Sequence, residues 1–77
     1  MTKKEILTAL AQDYKLAHTV YTSMEKQAAA ALEKGDMTGY ESLTKRAGCR
    51  AFTLHGIKRA ALTLGITEAD FMNAVNS

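Results

Sequence analysis

The 77-residue sequence has no proline and only five glycines, so few residues interrupt regular secondary structure. It is rich in alanine, leucine, lysine and glutamate, which have high intrinsic helix propensity. This composition predicts an all-α chain, with residues 1–77 forming a single helical domain. A chain of this size can bury only a marginal core, so self-association is a hypothesis from the outset.

Several absences bear on location. The one cysteine, Cys49, cannot form an internal disulfide. The first residues lack the continuous apolar segment of a signal peptide, and no stretch reaches the ~20 apolar residues of a membrane span. The net charge of +2 is too small to indicate a nucleic-acid or membrane-surface binder by itself. These features favour a cytoplasmic protein that does not contact a membrane.

Patterns that carry enzyme or metal chemistry are also missing. The sequence has no Ser/His/Asp or Cys/His constellation, no paired carboxylates and no glycine-rich phosphate loop. Cys49 has no partner at metal-ligand spacing, and His18 and His55 without a third ligand make a poor zinc site. We therefore expect no catalytic residue, no metal or other cofactor and no small-molecule substrate.

An apolar seam with alternating spacings of three and four residues indicates a long first helix. The seam consists of Leu7, Leu10, Tyr14, Ala17, Tyr21, Met24, Ala28 and Ala31. Gly35 is the first residue that interrupts it. The next helix can continue through three isolated glycines, each of which costs only ~1 kcal/mol relative to alanine, and it ends at Gly65. The pattern predicts helices over about residues 3–34, 37–64 and 68–75.

Two long helices joined by two residues predict an antiparallel hairpin. With the turn centred on residues 35–36, large seam residues of one helix mostly face small residues of the other. The same register brings opposite charges to the same height and predicts the ion pairs Glu25–Arg46 and Asp13–Lys58.

A second apolar stripe lies beside the seam on the first helix. It consists of Ile6, Ala9, Leu16 and Val20. The short third helix is predicted to cover Ile6, together with Leu7 and Leu10, but it is too short to reach Leu16 and Val20. A second copy of the chain is the simplest cover for Leu16 and Val20, and it would give a homodimeric four-helix bundle.

The outer face of the second helix is the predicted partner-binding surface. It consists of Lys45, Phe52, His55 and Arg59, with Arg46 and Cys49 at its border. Phe52 projects away from the seam and has no partner within the chain. An aromatic ring flanked by cations can enter a protein pocket or stack on a base, and a place in the core of a dimer is an equally good interpretation. The alternative for these charges is a solvated face with local salt bridges.

The segment from Ala61 to Phe71 has the spacing of a helix-turn-helix, with Gly65 at the turn. Its last helix carries Glu68 and Asp70 but no basic residue, so phosphate would repel it. We interpret the segment as a structural corner that does not read DNA.

Together these features predict a small non-enzymatic interaction module that binds a macromolecular partner as an adaptor, regulator or inhibitor. A protein is the favoured partner. Compact chains of this kind are common among phage and mobile-element products, which is an association only. Two alternatives remain open. One is a nucleic-acid-binding regulator that uses the basic second helix, and the other is a structural subunit of a larger assembly.

Overall fold

The computed structural model describes Met1–Ser77 and consists of three helices. Helix α1 spans Lys3–Glu33, α2 spans Met37–Thr63 and α3 spans Glu68–Val75. Because α1 and α2 lie antiparallel side by side, the molecule is a rod that measures 49 × 21 × 19 Å. The predicted all-α hairpin with a short third helix is confirmed, and each helix end lies within one residue of its predicted position.

Side-chain caps begin all three helices. The Thr2 hydroxyl accepts a hydrogen bond from the Glu5 amide, and the Glu5 carboxylate accepts one from the Thr2 amide, each at 3.2 Å. Asp36 and Thr67 accept from the amide three residues further on, at 2.9 and 3.1 Å. Each cap satisfies an amide that the first helical turn leaves unpaired, which is why these positions start the helices.

Gly35 and Gly65 end the two long helices in the left-handed region, with φ angles of 75° and 84°. Replacing Gly65 with alanine is expected to lower the free energy of unfolding by about 1–2 kcal/mol, because a Cβ is strained at this φ. The same substitution at Gly56, inside α2 with open space around it, is the matched control. We expect it to raise stability by up to ~1 kcal/mol. Urea denaturation measures both, and equal shifts in the same direction would contradict the prediction.

The core is built mainly from alanine. Nine of the 77 residues are buried, and six of these are alanines. The buried set is Ala11, Ala17, Ala28, Ala31, Ala47 and Ala61, with Leu54, Ile66 and Phe71. Most of the buried side chains are therefore single methyl groups, and larger seam residues such as Tyr21, Met24 and Leu43 are only half-buried.

Apart from Leu54, the larger buried side chains lie at the open end of the hairpin, where α3 docks. Ala61 and Phe71 are fully buried there, and Ile66 is 4% exposed. The partly buried residues around them are Leu7, Leu10, Tyr14, Ile57 and Val75. The spacing from Ala61 to Phe71 is therefore explained by packing: alanine admits the returning chain, and the two larger residues close over it.

Helix α3 docks on two of the three α1 residues that the sequence predicted. Leu7 and Leu10 contact its core as expected, but Ile6 does not belong to that cluster. Lys3 Nζ donates to the Gly65 carbonyl at 3.4 Å, and Lys15 Nζ donates to the Ser77 carbonyl at 2.7 Å. These contacts show that the α3 segment runs parallel to α1, along the side opposite the second apolar stripe.

Both predicted ion pairs are wrong. The one ion pair in the structure joins Lys58 Nζ to Glu68 Oε1 at 2.6 Å and ties α2 to α3. Glu25 and Arg46 lie at similar heights but line different pockets, on opposite sides of the hairpin. The Asp13–Lys58 ion pair is absent for the same reason. Two residues at equal height on antiparallel helices do not have to point to the same side of the hairpin.

A hydrogen bond to the Glu68 carboxylate raises the pKa of the Lys58 ammonium group. A lysine pKa that is higher in the folded than in the unfolded state adds stability at pH values below the unfolded pKa. That stability is lost as the pH rises through the raised pKa. The Lys58–Glu68 pair therefore persists at neutral pH.

Candidate interaction surfaces

Phe52 projects into solvent from the middle of α2. Its side chain is 82% exposed, whereas Leu54, two residues further on, is 8% exposed and faces α1. Two residues correspond to about 200° around a helix, so the two side chains point to nearly opposite sides. Leaving a phenylalanine in water forgoes about 1.5–3 kcal/mol of burial free energy. The predicted outward position of Phe52 is confirmed, and its ring is available to a partner.

A stripe of exposed residues on α2 includes Phe52 and alternates spacings of four and three residues. It consists of Glu41, Lys45, Gly48, Phe52, His55 and Arg59, and we call it the Phe52 face. This is the spacing of a helix-packing seam, although here no helix of the chain covers it. A Cβ at Gly48 would have no atom within 4 Å, so there is open space one turn before the ring of Phe52.

The structure separates two of the predicted partner-binding residues from the other four. Lys45, Phe52, His55 and Arg59 share the Phe52 face. Arg46 and Cys49 instead line a shallow pocket with Met24, on the side of the hairpin away from α3. Cys49 is an exposed free thiol. A single docked partner helix would therefore contact the first four residues without reaching Arg46.

An open groove between α1 and α2, near the turn, is a feature that the sequence reasoning missed. Its volume is about 500 Å³. Its floor consists of small residues, namely Ala28, Ala29, Ala47, Gly48 and Ala51, and its larger lining side chains are Tyr21, Leu32 and Tyr40. Ala28 belongs to the predicted seam, but the sequence reasoning did not predict that Ala28, Ala47 and Gly48 together leave an open space between the helices.

The groove lies on the same side of the hairpin as α3. Tyr14 and His18 line the α3 contact, and Tyr21 and Ala28 continue the same stripe of α1 into the groove. Helix α3 thus fills the half of the inter-helix furrow near the open end and leaves the half near the turn empty. Glu25 is the one charged residue in this half, and a hydrogen bond to its carboxylate, together with its charge, raises the pKa of Tyr21.

The predicted self-association residues differ in exposure. Leu16 is 69% exposed. Val20 is half-buried in a shallow pocket that Met24 and Leu43 also line. Leu16 is two residues after Tyr14, so it points away from α3, on the other side of α1. Of the two residues, Leu16 offers the larger uncovered apolar surface.

The titratable groups do not form a metal cluster. No three His, Cys, Asp or Glu side chains in the structure are placed to hold a metal ion. His18 stacks on Tyr14, with ring centroids 6.3 Å apart and an interplanar angle of 13°. None of the three helices combines the length and the apolar character needed to cross a bilayer.

Comparison of the chain with protein-family models, with curated proteins and with solved structures finds no match.

Proposed function

We propose that the chain is a non-enzymatic helical interaction module that binds a protein partner and acts as an adaptor, regulator or inhibitor. The observation that carries this proposal is the exposed ring of Phe52. It stands between the cations Lys45 and Arg59 and next to an apolar groove. An aromatic anchor surrounded by a charged rim is the usual composition of a protein-binding hot spot.

Replacing Phe52 with alanine is expected to weaken binding of the partner at least about tenfold, because the anchor ring is lost. Thr53→Ala is the matched control, since Thr53 is also exposed but points about 100° away around α2, toward the shallow pocket that Arg46 and Cys49 line. The partner would be identified by crosslinking in the cells that produce the protein. Its affinity for the variants would then be measured with purified components by calorimetry.

Circular dichroism should give the same helical signal for both variants, because neither side chain is buried. A partner that binds the Phe52→Ala and Arg59→Glu variants as tightly as the parent protein would refute the proposal. That result would leave the Leu16 side of the hairpin as the remaining surface for binding.

A nucleic-acid-binding regulator is the second candidate, favoured by Lys45, His55 and Arg59 around a ring that can stack on a base. Against it, the two cations Lys45 and Arg59 lie about 21 Å apart along the helix, and Glu41 lies on the same face. Binding of this kind weakens steeply with added salt and is lost on charge reversal at Lys45 and Arg59. Fluorescence anisotropy with labelled single-stranded and duplex oligonucleotides at two salt concentrations tests this candidate.

A structural subunit of a larger assembly is the third candidate, favoured by the exposure of Leu16. Replacing Leu16 with glutamate would then abolish assembly while the hairpin stays helical. Gel filtration and circular dichroism of the same sample separate these two effects. Unchanged assembly would eliminate this candidate.

A further inference from the structure

We infer that the Phe52 face binds a second copy of this chain, with the two α2 helices packed antiparallel about a two-fold axis level with Arg50. This inference rests on the proposed function, since it names the partner for the same surface. Three features carry it: a projecting ring, an open space one helical turn away, and opposite charges at the two ends of the stripe.

The ring and the space are complementary. A Cβ at Gly48 would have no neighbour within 4 Å, and Gly48 forms part of the groove floor together with Ala51. The ring of Phe52 projects one turn further along the same face. A two-fold axis midway between Gly48 and Phe52 places each ring over the glycine of the other copy. Both spaces are then filled at once, in the manner of a knob in a hole.

The charges follow the same axis. Glu41 is the one acidic residue of α2, and it lies as many residues before the axis as Arg59 lies after it. Neither side chain forms an ion pair within the chain. Antiparallel packing therefore places Glu41 opposite Arg59 of the second copy, twice by symmetry. Between the Glu41–Arg59 pair and the Phe52 ring, Lys45 of one copy lies opposite His55 of the other. The polar ends of both side chains reach solvent at the edge of the interface.

Other arrangements lose these matches. Parallel packing would set Arg59 against Arg59 and Glu41 against Glu41, which is repulsive. An antiparallel register shifted by one turn would place Phe52 over Gly56, but Glu41 would then lie beyond the end of the other helix. The register centred at Arg50 is the one that satisfies both the rings and the charges.

The Leu16 side offers a poorer match to itself. Antiparallel packing there would set Leu16 against Val20, but Val20 is already half-buried within the chain. The next layer would set Asp13 against Ser23, so no opposite charges meet. For this reason we assign self-association to the Phe52 face and not to Leu16 and Val20, although the sequence offered both as parts of a dimer core.

Analytical ultracentrifugation over a range of concentrations tests the inference. The parent chain should shift from its monomer mass of 8.4 kDa to twice that mass. Phe52→Ala should raise the dimer dissociation constant at least about tenfold, because two rings are lost per dimer. Thr53→Ala, the matched control, should leave it unchanged.

A charge swap tests the register. Glu41→Arg and Arg59→Glu should each weaken the dimer several-fold, and the double variant should restore the affinity of the parent chain. Restoration occurs only if the two residues face each other across the axis. The effects of the single variants should shrink at high salt, because exposed charges are screened.

Three results would overturn the inference. The first is a parent chain that stays monomeric at every concentration. The second is a dimer that Phe52→Ala leaves intact and Leu16→Glu abolishes. The third is a double charge variant that dimerises no more tightly than either single variant. The proposed function is tested separately. A monomer that still binds a different protein through Phe52 refutes this inference alone. A dimer that binds no other protein through any surface keeps the inference and refutes the adaptor, regulator or inhibitor role.

Discussion

Replacing Phe71 with alanine should lower the free energy of unfolding by about 3–5 kcal/mol. Phe71 is fully buried, and its ring packs edge-on against Tyr14 with centroids 5.3 Å apart. It sits at the one place where three helices meet, so its loss leaves a cavity that the short α3 cannot close. A domain of this size has a total stability of roughly 4–12 kcal/mol, so the loss is a large fraction of the whole.

Urea denaturation followed by circular dichroism measures this effect. Met72→Ala is the matched control, because Met72 is the next residue of α3 and is only half-buried. We expect the Met72 variant to lose clearly less stability than the Phe71 variant. Equal losses would mean that α3 contributes through helix formation, without the specific contact between Phe71 and Tyr14.

Replacing Ala61 with leucine should lower the free energy of unfolding by about 3 kcal/mol, which is at the upper end of the usual effect of overpacking. The Ala61 side chain is completely buried, and Ile66 and Phe71 close over it. Its carbonyl also accepts hydrogen bonds from the amides of Leu64 and Ile66 at 3.2 and 3.1 Å. A larger side chain must therefore push α3 away from the hairpin or distort the corner that these bonds hold.

The matched control is Ala60→Leu, the same substitution at an exposed neighbour on the same helix. The free energy of unfolding of this variant should differ from that of the parent chain by no more than about 0.5 kcal/mol. Thermal and urea denaturation of both variants compare the two positions directly. A stable Ala61→Leu variant would show that the corner can expand, and that the alanine is not required for close approach.

The helices were predictable because their signals are local. Thr2 with Glu5, Gly35 and Gly65 mark helix ends through side-chain and backbone chemistry that needs no knowledge of the rest of the chain. The outward position of Phe52 followed from its angle to Leu54 within one helix. These features depend on periodicity and capping alone.

The side of the hairpin that each residue occupies was not predictable in the same way. The register gave the heights of Glu25 and Arg46 correctly but could not place them on opposite sides. The docking side of α3 depends on Phe71 reaching Tyr14, a contact between residues far apart in sequence. The groove was missed because it depends on how small residues of α1 and α2, such as Ala28 and Ala47, lie across from each other, which the pattern along either helix does not give.

The alanine core has a mechanical consequence. Methyl contacts bury little apolar area, so the two-helix arm near the turn is cheaper to open locally than the end closed by Phe71. We therefore expect amide hydrogen exchange to be graded along the rod, slow at the α3 end and fast toward Gly35. A binder seated on the middle of α2 stiffens the weaker arm, so part of its binding energy is spent on suppressing the motion of that arm.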